Sequence, residues 1–493
     1  MGKLNVVHKV DSKKISVSSD SSNLVSMLSQ VESINKLQYG YHPDDLQTSD
    51  KPKLSISWHN KRLCSVIIDA YKAQIRMLVK RNIIPGGEGA EITLALDAIN
   101  QSIMHEEAMP QTEDSHNVHA MIKKLLFSKI GTKAKYLNIL YSQQEMYVTS
   151  LRLWLRNAMD SLDPAIQNLQ SALMDKSEMH IKTIMPSYVH ASIGQPTSLG
   201  CYLMSYVEMF GRDRASIENV RKNTNRSPMG AYMGAGTSLE ISRKMMASGL
   251  GFDEVIVNTV DAISDMDFVL GFLHMASICM MHLSRLAEEL LIWQHPNSGF
   301  IYFSNAFLSA DDILNMKYYP NVLEYVRSKS GAVYGNFINA LTVMKSLHCG
   351  ITQDVEEVLE PVIHSYDTLF KCVGIMEAVV VDFGVDRKQM KEKSQEPQGF
   401  APDIVHWFLK STNLDYNAAV DATRKIINYA IEHEKKLSLL EIHELQTIES
   451  SVNSDIYSTL IPSRAITSRR SQGGSNPVQM RKAVRAARKK YLA

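Results

Sequence analysis

Apolar positions recur at helical spacing between residues 160 and 390, with almost no proline inside the periodic segments. The clearest segment is 267–293, DFVLGFLHMASICMMHLSRLAEELLIW, in which apolar side chains cover nearly every face. A helix of this kind belongs inside a helical bundle or at a subunit interface. Its longest nearly apolar run, 268–281, already contains His274 and is too short to span a bilayer. We therefore expect a core helix and no membrane segment.

The rest of the pattern predicts an all-α fold with a long central bundle. Strand-like alternation is rare, and further helices are indicated at 200–224, 320–347 and 357–383. A polar, proline-containing linker, KEKSQEPQGFAPD, follows the bundle. We predict a polar N-terminal extension, an N-terminal helical domain, a central helical bundle and a small C-terminal helical domain, at 1–50, 51–157, 158–390 and 391–493 respectively.

Charge and cysteine usage argue against several classes of protein. The chain has 53 basic and 52 acidic residues, so its net charge of +1 gives no overall attraction to nucleic acid or membrane. We expect the basic stretch 481–490 to be the solvated face of a terminal helix. Five scattered cysteines without a C-x-x-C pair predict neither a disulfide framework nor a zinc site. Because the N-terminus is too polar for a signal peptide, we predict a cytoplasmic protein. We also expect neither a metal nor a cofactor.

Several segments carry motifs in a fixed order. They are MPSYVHASIGQP at 185–196, SPMGAYMGAGT at 227–237, VDAISDMDFVL at 260–270, MMHLSRLAEELLIW at 280–293 and SRRSQGGSNPVQMRKAV at 468–484. In order and spacing they resemble the motifs of the argininosuccinate lyase family, within the fumarase/aspartase superfamily. The first, for example, resembles M-P-G-Y-T-H-L-Q-x-A-Q-P. The resemblance covers roughly residues 55–493.

The resemblance implies a three-domain, mostly helical subunit and a homotetramer. Five long helices from each of four subunits would form a twenty-helix core, and each active site would draw on three subunits. Family members add or remove an amine or water across the double bond of fumarate. That chemistry needs a base, an acid for the leaving nitrogen, and cations or amide donors that hold the carboxylates of a small anionic substrate.

Two residues match the family's acid/base machinery. His190 falls on the catalytic histidine of T-H-L-Q, and Glu324 falls on the acidic residue that hydrogen-bonds it. A carboxylate at that position would fix the imidazole tautomer that general acid catalysis requires. The alternative is that this histidine–glutamate pair stabilises a subunit interface without taking part in catalysis.

The signature loop, 308–320, departs from the family pattern G-S-S-x-M-P-x-K-x-N-P. Aligned without a gap, the catalytic serine is replaced by Asp311, and Lys317 matches the lysine that contacts a substrate carboxylate. Tyr319 replaces the asparagine and is a further candidate substrate contact. Asp311 could act as a replacement base, but with Asp312 beside it the loop would repel a dianionic substrate. We therefore favour loss of the serine mechanism. Lys317 could alternatively be a solvated loop lysine.

Two further segments have lost charged substrate contacts. The family's G-R-S-R-N-D-Q aligns with LYSQQEM at 140–146, where Ser142 is retained and Gln143 and Gln144 replace the Arg-Asn pair. The family's Y-N-K-D-M-Q-E-D-K-E aligns with ITQDVEEVLE at 351–360, and its Tyr, Gln and Lys become Ile351, Glu356 and Leu359. Losing a buried charge partner costs about 2–5 kcal/mol. Tight argininosuccinate binding is therefore not expected, although Ser142 and Gln144 remain candidate substrate contacts.

The sequence thus predicts a divergent carbon–nitrogen lyase that performs β-elimination on an altered amino-acid or succinyl-type substrate. It would act as a homotetramer with composite sites, without binding nucleic acid or membrane. The alternative is a catalytically inactive homologue that serves as a structural or partner-binding subunit, for example in mixed tetramers with an active relative.

Overall fold

The fold begins with three helices that pack their apolar faces together. The computed structural model describes residues 62–104, 118–190, 192–310 and 318–492, which belong to one compact unit. The first helices are α1 (Cys64–Lys80), α2 (Gly86–Met104) and α3 (Val118–Ile130), and a 3-10 turn, Gly131–Asn138, follows. Helix α1 buries Ile68, Tyr71 and Ile75, whose three- and four-residue spacing places them on one face.

The middle of the chain alternates long helices with very short strands. In chain order these are α4 (Gln143–Met179), β1 (Ile184–Val189), β2 (Ser192–Ser198), α5 (Leu199–Thr224), β3 (Arg226–Ser227), α6 (Arg243–Gly249), β4 (Glu254–Val255), α7 (Thr259–Ser264) and α8 (Asp267–Gln294). They are followed by β5 (Ile301–Tyr302), a 3-10 turn (Asn305–Phe307), β6 (Ser309–Ala310), β7 (Tyr318–Tyr319), α9 (Asn321–Met344), a 3-10 turn (Asp354–Val358), α10 (Leu359–Asp382), β8 (Gly384–Val385) and α11 (Arg387–Lys393).

The five long helices α4, α5, α8, α9 and α10 pack against one another as a central bundle. The described strands form two-stranded ladders: β1–β2, β5–β8 and β6–β7 are antiparallel and β3–β4 is parallel. The prediction of an all-α fold with a long central bundle is therefore confirmed. The predicted domain boundaries stay predictions.

Helix α8 is a core helix of this bundle. By length and composition alone it could cross a membrane. However, Phe272, Leu286 and Trp293 are fully buried, and α8 packs onto α5, α9 and α10. Its buried His282 lies 2.8 Å from a carboxylate oxygen of Asp213 in α5, so this histidine has a core partner.

The C-terminal part contains a second hydrophobic cluster. Its elements are a 3-10 turn (Pro397–Phe400), α12 (Ala401–Ser411), α13 (Tyr416–Glu432), short 3-10 turns at Leu437–Leu439 and Ser454–Ser458, α14 (Ile442–Ile448), α15 (Pro462–Ser468) and α16 (Pro477–Tyr491). The cluster extends from Phe400 to Ala465. Helix α16 instead contributes Met480, Val484 and Ala487 to the main core, against α4 and α5.

Candidate active site

The first turn of α4 anchors one side of the candidate site. Ser142 is the N-cap residue, and its hydroxyl accepts a hydrogen bond from the Glu145 N–H at 3.4 Å. The side-chain amide of Gln144 donates to the carbonyl of Ile263 in α7 at 3.1 Å. Both predicted substrate contacts are buried, with 2% and 4% of their surfaces exposed. In this chain Ser142 caps α4 and Gln144 joins α4 to α7, and the contact of either side chain with substrate stays a prediction.

A glycine-rich loop, 227–237, surrounds the carboxylate of Glu145. Gly230, Gly234 and Gly236 have φ values of +82°, +93° and +73°, a backbone region that glycine adopts without steric cost. Tyr232 also has a positive φ, of +57°. The backbone N–H groups of Gly230, Ala231 and Tyr232 are directed to the Glu145 carboxylate. Successive N–H groups arranged in this way form a concave anion-binding surface.

Two opposing effects act on the pKa of the Glu145 carboxyl. Burial raises its pKa to about 7, while the loop N–H groups and the guanidinium of Arg243 act in the opposite direction. Desolvation of the charged form is the larger effect, because the side chain is 1% exposed. Sequence reasoning missed this residue. The signal was its place in the aligned motif, where Glu145 falls on the aspartate of G-R-S-R-N-D-Q and keeps a carboxylate there.

Two segments that align with separate family motifs meet at the edge of this site. The Gln143 side-chain amide donates to a carboxylate oxygen of Glu356 at 3.0 Å. Next to them, the Tyr147 hydroxyl donates to the carbonyl of Val355 at 3.0 Å. The positions of the motif arginine and the motif glutamine are therefore in direct contact. In this chain they carry a neutral amide and a carboxylate.

Asp265, in the VDAISDMDF segment, has a structural partner. Asp265 forms an ion pair with Arg152 of α4, whose side chain is 0% exposed. The same guanidinium donates to the carbonyls of Asn223 and Thr224 and lies 4.1 Å from the centre of the Phe268 ring. This cluster joins α4 to the end of α5 and the start of α8.

His190 lies at the tip of the β1–β2 hairpin. Val189 pairs with Ser192, so the connection is a two-residue turn, and His190 adopts φ +54°, as such turns require. Its side chain is exposed. The other end of β2 is held by Arg469, which donates to the Pro196 carbonyl and forms a 2.7 Å ion pair with Asp403.

The remaining predicted residues are not brought to His190 within one chain. Glu324 is exposed in the first turn of α9, and no hydrogen bond or ion pair joins it to His190 in the described parts of the chain. Asp311 and Lys317 lie outside the described residues. The two sides of the signature loop pair as β6 and β7, in which the backbone of Tyr319 is opposite Ser309.

Within 62–104, 118–190, 192–310 and 318–492, no group of three or more His, Cys, Asp and Glu side chains is arranged to hold a metal ion. The arrangement instead offers backbone N–H groups, side-chain amides and separately exposed acid/base candidates. These are groups suited to proton transfer and anion binding.

Comparison with known proteins places this chain among lyases. The model of a family described as Lyase matches residues 51–335. The chain is 34% identical to argininosuccinate lyase of Ehrlichia ruminantium (strain Welgevonden) over 416 residues, which cover 84% of this chain and 90% of the relative. It is 35% identical to argininosuccinate lyase 1 of Mesorhizobium japonicum over 441 residues, 88% of this chain and 93% of the relative.

A solved structure has the same fold at lower sequence identity. The crystal structure of EDDS lyase in complex with formate superposes with a TM-score of 0.81, at 20% identity, and the match covers 90% of this chain and 91% of that one. The sequence relatives and the fold agree, and both support the resemblance derived from the motifs.

Proposed function

Because this chain belongs to the argininosuccinate lyase family of the fumarase/aspartase superfamily, we propose that it eliminates an amine from a succinyl-type or amino-acid substrate other than argininosuccinate. A base removes the proton from the carbon next to a carboxylate, the carbon–nitrogen bond breaks, and an acid protonates the departing amine. The product is a carbon–carbon double bond conjugated to that carboxylate. A neighbour in fold, EDDS lyase, bears a different substrate name, which supports variation in the substrate on this fold.

The contact between Gln143 and Glu356 is the observation that supports an altered substrate. A guanidinium and an amide at these positions would have one positive charge, whereas this chain has one negative charge on Glu356. A substrate carboxylate about 4 Å from Glu356 would meet repulsion of about 1–4 kcal/mol, depending on solvent exposure. We therefore expect the substrate to present a neutral or cationic group at this edge.

We propose that the active site is composite, with His190 and Glu324 contributed by different subunits of a homotetramer. Both side chains are exposed and do not meet in the described part of a single chain. The central helices also expose large apolar side chains, which favour burial against other subunits. They are Ile278 on α8, Tyr334, Ile338 and Leu341 on α9, and Phe370 on α10.

In this proposal His190 protonates the leaving nitrogen and Glu324 orients the imidazole. Asp311 is the candidate base in place of the family serine, and Lys317 is the candidate contact for a substrate carboxylate. Tyr319 replaces the loop asparagine and would line the same pocket. Ser142 and Gln144 would act beside them through the α4 turn.

Fumarate release, followed by ultraviolet absorbance, tests the reaction with purified protein. The panel contains argininosuccinate and other N-succinyl amines, including amines without a second carboxylate. Release from a member other than argininosuccinate, lost in His190→Asn without a change in oligomeric mass, would support the proposal. Mixed tetramers of His190→Asn and Glu324→Gln subunits should recover part of the activity, because some composite sites would contain neither change.

The substrate argument has its own test in a paired substitution. Gln143→Arg with Glu356→Gln restores the family residues at the edge, so turnover of argininosuccinate should rise at least about tenfold in kcat/KM. The matched control is Gln143→Arg with Glu357→Gln, which makes the same charge change but keeps Glu356. If kcat/KM for argininosuccinate does not rise above that of this control, the Gln143–Glu356 contact does not determine the choice of substrate. If the wild-type protein releases fumarate from no member of the panel, the alternative of a non-catalytic homologue would be favoured.

A further inference from the structure

A second concave surface lies away from the candidate active site. It is a cavity of about 640 Å³ between the end of α4, the start of β1, α11 and α16. Five basic side chains line it: Lys182, Arg387, Lys391, Arg481 and Arg485. A volume of this size is typical of small-molecule sites. The length of strand β1 separates the cavity from His190. The first residue of β1 lines the cavity, and His190 follows the last residue of β1, about 20 Å further along the strand.

The charge in this cavity is not balanced by the protein. None of the five basic side chains has an ion pair or hydrogen bond within the described residues. Glu178 is the one acid among the described lining residues, and its carboxylate already forms a 3.0 Å ion pair with Arg488. Since the whole chain has a net charge of only +1, the excess is local. Like charges that line one concavity repel each other and raise the local positive potential.

A buried histidine, His180, lies next to one of the residues that line this cavity. Thr183 lines the cavity, and its hydroxyl lies 3.0 Å from Nδ1 of the buried His180. Burial lowers the pKa of His180 to about 4, and the positive charges of Arg387 and Lys176 act in the same direction. The imidazole is therefore neutral near pH 7, and it adds a polar group without adding a charge.

We propose that this cavity binds a small polyanion with at least two phosphate groups. Arginine presents a planar set of donors that matches phosphate oxygens in pairs, and lysine adds a point charge. The basic side chains come from three separate parts of the chain: the segment between α4 and β1, helix α11 and helix α16. They therefore face a bound molecule from several sides. A single orthophosphate would leave most of the volume and most of the charges unused.

Equilibrium dialysis of inorganic tripolyphosphate against the intact full-length protein, at physiological salt, tests this site. Saturable binding, tighter than that of orthophosphate, is expected. Arg481→Gln with Arg485→Gln should weaken it at least about tenfold, since each lost charge-assisted contact matters. The control is Lys482→Gln with Lys489→Gln, which removes the same charge from exposed positions of α16 that do not line the cavity, and its affinity should stay within about twofold.

Three results would overturn the proposal. They are absence of saturable binding, an equal loss of affinity for tripolyphosphate in the control, and binding of a single-stranded oligonucleotide that is tighter than that of tripolyphosphate. The last result would mark a diffuse nucleic-acid surface. Circular dichroism and oligomeric mass confirm that each variant is folded. If the double variant does not fold, Lys391→Gln on α11 is used, and it should also weaken binding whereas Lys388→Gln on the same helix should not.

Discussion

Replacing Glu145 by glutamine should change how the stability of this protein depends on pH. Burial raises the pKa of this carboxyl from its ordinary 4.5 to about 7. The folded protein therefore holds the proton more tightly than the unfolded chain does. Below pH 4.5 the group is protonated in both states and burial of its charge costs nothing. Between pH 4.5 and 7 only the unfolded chain ionises, so stability falls as the pH rises.

The size of the effect follows from the two pKa values. Linkage gives a destabilisation of about 1 kcal/mol at pH 5 and about 3 kcal/mol at pH 8. Glutamine has the same shape and retains an oxygen that can accept from the loop N–H groups, but it does not ionise. The stability of Glu145→Gln relative to the wild type should therefore increase by about 2–3 kcal/mol between pH 5 and pH 8.

The assay is urea unfolding of both proteins at pH 5, 6, 7 and 8, at one protein concentration so that oligomerisation affects both equally. Glu218→Gln is the control, because this side chain is exposed and has no ion pair or hydrogen bond in the described chain. Its difference from the wild type should stay near zero across the range. A difference for Glu145→Gln that does not change with pH would refute the reasoning. A difference that falls with pH would mean that the loop N–H groups outweigh burial.

Three further substitutions probe the packing of the site and the assembly. Asp265→Asn leaves the fully buried Arg152 without its charge partner, so the free energy of unfolding should fall by about 3 kcal/mol; a loss below about 1 kcal/mol would contradict the structural role of the pair. Gly399→Ala places a Cβ 2.6 Å from a backbone carbonyl of β2, so the free energy of unfolding should fall by about 1–3 kcal/mol and the melting temperature should fall with it. The Cβ of Gly87→Ala meets no atom within 4 Å, so this substitution should be tolerated. Ile338→Glu, at a position 60% exposed in the single chain, should reduce the mass measured by light scattering if the central helices form the tetramer, and an unchanged mass would exclude that face.

Local patterns in the sequence were sufficient to predict the helical fold. Helical periodicity depends on residues three and four positions apart, so the apolar segment around His274 could be assigned to a core helix without tertiary information. The motif around His190 predicts a catalytic histidine, and that role stays a prediction; the structure places this residue at an exposed hairpin tip.

The sequence by itself therefore determined the helical class and the family, and it predicts acid/base residues that stay predictions. Tertiary structure alone decided which distant residues meet: Gln143 contacts Glu356, 213 positions away, and loop N–H groups surround the buried Glu145. It also placed α16 in the main core and brought Arg387 and Arg481 to one cavity. The physical reason is that spacing along the chain specifies local hydrogen bonding, whereas burial and charge proximity depend on long-range packing.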